Sequence, residues 1–125
     1  MKNSEFKVML SKRSFNFAKE TIMLTDKFPK KRSSWVISDQ LIRSASSIGA
    51  NINEAQAASS KKDFINFLNH SLKSGNETKY WLNLAKELDG KLGKEIDNLL
   101  TEVDELTKIL GSSIIKLKGI PTKNR

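Results

Sequence analysis

Few residues in this chain have the side chains that catalysis or metal binding would use. His70 is the single histidine, and cysteine is absent. A di-metal carboxylate centre needs inward-facing glutamates together with Glu-x-x-His pairs, yet the residue three before His70 is Phe67. The densest acids are Glu95, Asp97, Glu102, Asp104 and Glu105, and they fall between apolar positions rather than on them. A Ser-His-Asp relay would also need His70 as its base, and nothing singles out a serine as nucleophile. The six glycines compose neither a GxGxxG nor a P-loop pattern. The sequence therefore predicts no catalytic residue, no metal site and no cofactor.

Positive charge is more abundant. The formal net charge is +8, and residues 1–62 hold twelve lysines and arginines against five acids, whereas residues 63–125 hold ten against nine. Lys30, Lys31 and Arg32 are consecutive, as are Lys61 and Lys62. Such clusters suit phosphate contacts that position a nucleic acid without reading its bases. Charge of this sign also serves solubility, so the clusters alone name no partner. Trp35, Tyr80 and Trp81 add rings that either stack bases beside the lysines or, as such rings more often do, seal a bundle end or a subunit contact.

Residues 33–60 are the least charged stretch, with only Asp39, Arg43 and Glu54 in a protein that is 29% charged. Leu41, Ala45, Ile48, Ile52 and Ala55 recur at alternating four and three, one stripe of a helix. Beside it runs a polar row of Gln40, Arg43, Ser47, Asn51 and Glu54. A row of this kind fixes which helix packs against which, within or between subunits. A helix so poor in charge is expected to pack on more than one side.

The same period recurs elsewhere. Leu10, Phe17 and Leu24 mark helix one, about residues 4–26, which Phe28-Pro29 ends because the residue before proline avoids the helical region. Helix two spans about 34–57, beginning near Ser34. Helix three spans about 60–88, capped by Ser60 with Asp63, on a stripe of Phe64, Leu68, Ser71, Gly75, Thr78, Leu82 and Ala85. Gly90 and Gly93 mark the next turn, and helix four spans about 94–118 on Ile96, Leu99, Val103, Leu106, Leu110 and Leu117. A basic tail fills 119–125. Four such segments with short turns predict one domain over residues 1–125, an all-α, antiparallel up-down-up-down four-helix bundle.

Tracing that bundle sorts the cations to its ends. One end collects Lys27, Lys30, Lys31, Arg32, Lys91 and Lys94; the other collects Lys2, Lys7, Lys61, Lys62, Lys116, Lys118, Lys123 and Arg125. The acids of helix four lie between them, as a solvated face or as a flank for a basic neighbouring subunit. No apolar block resembles a signal peptide and no apolar run is long enough to span a bilayer, so the expectation is a soluble cytoplasmic protein without a membrane partner. The absence of cysteine is compatible with that compartment.

The segments QLIRSASSIGANINEA, SKKDFINFL and ETKYWL together resemble a bacterial family of four-helix bundles, named for proteins encoded by intervening sequences in 23S ribosomal RNA genes and also labelled S23 ribosomal protein. The hallmarks fall on Phe28-Pro29, Gln40-Leu41, Arg43, Ser47-Ile48, Asn51-Ile52, Glu54, Phe64 and Leu68, and the likeness covers essentially the whole chain. Where relatives of this subtype carry a Glu-Ala-type pair and a polar residue ahead of Glu77-Thr78, this chain has Ser74-Gly75-Asn76. The resemblance implies a homopentamer, a barrel of bundles around a central channel. It also implies kinship with the accessory protein of diversity-generating retroelements, a basic pentamer that works with a reverse transcriptase and nucleic acid. It implies no enzymatic activity. Two readings follow: a homo-oligomer that binds RNA or DNA through Lys30, Lys31, Arg32, Lys61 and Lys62, or an adaptor whose partner is another protein such as a polymerase.

Overall fold

The computed structural model describes residues 3–119; Lys2 at one terminus, and Lys123 and Arg125 with the rest of 120–125, lie outside the described residues. Four long helices make up the fold: α1 (Asn3–Thr25), α2 (Arg32–Gln56), α3 (Lys61–Leu88) and α4 (Gly93–Leu117), with a single 3-10 turn at Gly90–Leu92. Each helix packs on its neighbour in the chain and α4 closes on α1, which leaves α1 and α3, and likewise α2 and α4, on the diagonals. The charge-poor α2 is accordingly packed on two sides within the subunit, most extensively against α3.

Local chemistry sets the ends of these helices. The Phe28 amide donates to the Thr25 carbonyl at 3.1 Å as the chain turns into Pro29. Helix α2 then begins at Arg32, two residues ahead of the expected Ser34, after an extended Lys31 (φ −147°, ψ 164°) that supplies no side-chain cap. Ser34 is buried inside the first turn instead of capping it. Ser60 caps α3 as the sequence predicts, its hydroxyl accepting the Asp63 amide at 3.1 Å. At the far end of α3 the Asp89 carboxylate accepts the Lys91 amide at 3.1 Å and turns the chain into α4.

The predicted stripes form the core. Leu10, Phe17 and Leu24 of α1, the α2 stripe, and Ile96, Leu99, Val103, Leu106 and Leu110 of α4 are all buried. Alternating four-three spacing fills the gaps in α1 with Ser14 and Thr21, both fully buried. Small and hydroxyl residues sit where helices come closest. A Cβ on Gly49 would lie 3.1 Å from the Ser14 hydroxyl, and one on Gly75 would lie 2.5 Å from the Thr107 methyl. Two cross-links set the register of α2 on α3: Ser71 donates to the Ile48 carbonyl at 2.8 Å, and Thr78 meets the Ser44 hydroxyl at 2.9 Å. Among the described residues no buried side-chain nitrogen or oxygen lacks a partner. No helix among them is long and apolar enough to cross a membrane.

Candidate nucleic-acid interface

Ion pairing divides the cations into two populations. Arg13 on α1 reaches α4, its Nε donating to Glu102 Oε2 at 3.0 Å and its Nη2 to Glu102 Oε1 at 2.6 Å and Glu105 Oε1 at 2.5 Å. Glu102 first, then Glu105, hold that guanidinium above its ordinary pKa. Lys27 pairs with Glu95 at 3.7 Å, Lys86 with Asp97 at 2.7 Å, and Asp104 receives Lys79 at 3.3 Å and Lys108 at 3.1 Å. The two lysines, Lys108 before Lys79, hold Asp104 below its ordinary pKa. The acids of α4 are therefore met by α1, by α3 and by α4 itself, inside one subunit. These acids remain a third to more than half exposed, as a solvated face requires, while already meeting cations of their own subunit.

The polar row of α2 is likewise partnered at home. Arg43 donates to Gln40 Oε1 at 2.8 Å and pairs across the seam with Glu77 of α3. Ser47 donates to the Arg43 carbonyl and Asn51 to the Ser47 carbonyl, each at 2.8 Å. Glu54 is exposed and stands outside this network. Glu77 also accepts the Trp81 indole N–H at 3.1 Å. That bond, and then Arg43, hold the Glu77 carboxyl below its ordinary pKa.

The sequence-predicted phosphate residues are exposed and, among the described residues, free of ion pairs, but they do not make one site. Lys30, Lys31 and Arg32 precede α2 while Lys61 and Lys62 open α3, so the 25 residues of α2 separate them by roughly 37 Å at 1.5 Å per residue. The two ends differ in shape. At the first, Phe28, Ile37, Ala85 and Leu88 close around a gap of about 20 Å³, with room for one water at most. At the second, Lys61, Lys62, Ile65, Asn66 and Asn69 of α3 and Lys118 after α4 line an open groove of about 410 Å³. Lys7 adds a further cation at this end, 5.4 Å above the Phe64 ring. Asn66 and Asn69 were not among the sequence-predicted residues, although their spacing of four and seven from Lys62 places them on its face of the helix.

The aromatic expectation needs correction within the subunit. Trp35 and Tyr80 are each 61% exposed, so neither seals the bundle; half-buried Phe28 with buried Ile37 and Ala85 fills that end instead. Tyr80 lies opposite the buried Thr78–Leu82–Ala85 line, which forces its ring outward. Trp81 is half-buried on the flank toward α2 and supports the Tyr80 ring edge-on, with centroids 5.1 Å apart at 79°. His70 is exposed on the outer side of α3.

Residues 7–112 match the family described as 23S rRNA-intervening sequence protein. A solved structure from Bacteroides thetaiotaomicron VPI-5482, of a protein with unknown function from the S23 ribosomal protein family, aligns with a TM-score of 0.78 at 37% sequence identity. The likeness covers 84% of this chain and 97% of that one. No curated protein matches the chain. The family match and the structural likeness agree with the four-helix architecture, and the chain belongs to the 23S rRNA-intervening sequence protein family.

Proposed function

We propose that this chain is a non-enzymatic, homo-oligomeric bundle protein that binds RNA or DNA phosphates, chiefly through the groove of Lys61, Lys62 and Lys118. The observation that carries the reading is the convergence of three lysines on one open groove, none of them in an ion pair among the described residues, while Arg13, Lys79 and Lys86 of the bundle body each meet an acid of α4. Unpaired lysines that converge attract a polyanion and exchange its counterions. Lys30, Lys31 and Arg32 form a weaker, secondary contact on the opposite end, where the gap that Lys31 borders is too small to hold a backbone.

Self-association is supported by the outer side of α1. Val8, Phe15 and Ile22 recur every seven residues and are 64%, 69% and 39% exposed. Beside it, Ser46 and Asn53 of α2 are exposed, small and uncharged, flanking Gly49 where α2 meets α1. A ridge from one copy seated on the small row of the next is a heterologous contact, the kind that closes into a ring. Five subunits is the number that the family resemblance implies. An adaptor reading, with a protein such as a polymerase as partner and no direct nucleic-acid contact, draws on exposed Trp35, Val36 and Leu88 at the plugged end.

The test is fluorescence anisotropy with labelled structured RNA and duplex DNA across a salt series, alongside light scattering for the mass in solution. Submicromolar binding that weakens linearly in log–log form supports the phosphate contact, and its slope counts the phosphates engaged. Absence of binding at low salt removes the nucleic-acid reading and leaves the adaptor. A monomeric mass removes the ring.

A further inference from the structure

Six residues of α3 point away from the bundle: Lys62, Asn66, Asn69, Lys73, Asn76 and Tyr80. At about 100° per residue they occupy an arc of about 80° opposite the buried stripe, over roughly 27 Å of helix. All are exposed except Asn69, which is half-buried in the groove wall. No acid stands on the line between Lys62 and Tyr80.

An exposed helix face is ordinarily built from glutamate and lysine, which support the helix through pairs four residues apart. Asparagine is among the poorer helix formers because its side chain competes for the backbone. Where this protein uses asparagine locally, the bond is present: Asn51 donates to the Ser47 carbonyl and Asn83 to the Lys79 carbonyl. The amides of Asn66, Asn69 and Asn76 make no hydrogen bond among the described residues, so donor and acceptor both remain free for a ligand. Lys62 and Lys73 are free of ion pairs there as well.

We infer that this face is a track for single-stranded nucleic acid, an inference that rests on the phosphate reading above and names the ligand class. Phosphates enter through the groove of Lys61, Lys62 and Lys118 and meet Lys73 further along. The free amides present donor and acceptor pairs that match base edges. Tyr80, braced edge-on by Trp81, offers its ring to an unpaired base. A duplex fits less well. Its bases are paired and stacked, so none is open to the Tyr80 ring.

The experiment compares a fluorescein-labelled 20-nucleotide single strand of mixed sequence, as RNA and as DNA, with the corresponding duplexes, using full-length protein. Tyr80→Ala is expected to weaken single-strand binding about tenfold while Tyr80→Phe preserves it. The triple Asn66→Asp, Asn69→Asp, Asn76→Asp keeps the side-chain shapes and places three negative charges on the track, and is expected to cost at least tenfold. Circular dichroism checks that each variant remains helical. Wild-type affinity in both Tyr80→Ala and the asparagine triple overturns the track, even if Lys62→Glu and Lys118→Glu show that the groove still binds. Equal affinity for the duplex, insensitive to Tyr80→Ala, also overturns it. Failure of the wild-type protein to bind any probe removes the track together with the phosphate reading.

Discussion

Arg13, Lys79 and Lys86 each face an acid on α4, whereas Lys61, Lys62 and Lys118 share one groove with no acid partner among the described residues. The same residue types thus do different work in the body of the bundle and at its end. In the body, these pairs join α1 and α3 to α4 within the subunit and contribute to which helices neighbour one another. At the groove end, like charges are held together, which an isolated subunit has no reason to favour. An acid within reach, rather than composition, separates structural cations from candidate ligand-binding ones.

Charge reversal tests that separation most severely. Lys61→Glu, Lys62→Glu and Lys118→Glu together are expected to lower nucleic-acid affinity at least a hundredfold, and to reduce the log–log salt slope by about 2 to 3 if each lysine engages one phosphate. Thermal stability should change little, because three carboxylates sharing the groove repel one another as the three ammonium groups did. The matched triple Lys30→Glu, Lys31→Glu, Arg32→Glu should cost only a few-fold. Equal losses at the two ends, read by anisotropy in parallel, would show that the groove confers nothing beyond charge.

The separation was only partly legible in the sequence. Four-three spacing located every helix and nearly all of the core, because burial of one stripe is a local pattern. The antiparallel trace also sent Lys118 to the same end as Lys61 and Lys62. The partner of each cation was hidden, since Arg13 and Glu102 lie 89 residues apart and meet only once α4 closes on α1. The groove was hidden for the same reason. Ser74-Gly75-Asn76 read as a bare departure from the family pattern, and the structure gives the middle residue a reason: Gly75 lets α3 approach Thr107 of α4. Gly75→Ala is accordingly expected to destabilise the body by about 1–2 kcal/mol despite alanine's better helix propensity. Thr107→Ser, which removes the obstructing methyl, should recover most of that loss in urea unfolding. Nucleic-acid affinity of the folded variant should be unchanged.

A smaller effect is expected at Arg13. Its guanidinium is 30% exposed and bridges Glu102 and Glu105, so Arg13→Met leaves two acids three residues apart on one helix without their shared counter-charge. Loss of a two-carboxylate pair of this exposure is worth about 1 kcal/mol, or about 3–5 °C in Tm for a chain of this size. Groove binding should not weaken. A fall in affinity comparable to that of a groove lysine would mean that acid-paired cations also contact the ligand.

Acid titration draws the finest line between body and end. Glu77 is held below its ordinary value of 4.5 by Trp81 and Arg43. In the window between its folded and unfolded pKa values the unfolded chain binds the extra proton, so stability falls as pH falls. The contribution is therefore fully present above the ordinary value and disappears as pH drops through the lower, folded one. Because the Glu77 side chain is 38% exposed, solvent screening limits the contribution to about 0.5–1 kcal/mol. Urea midpoints at neutral pH and at steps below 4.5 should show Glu77→Gln less stable than wild type at neutrality, with the gap closing in acid. Removing the groove lysines should leave that acid limb unaltered, because among the described residues no carboxylate pairs with them. A groove variant that flattened the acid limb as Glu77→Gln does would mean that the end lysines also stabilise a folded carboxylate, and the division between body and end would fail.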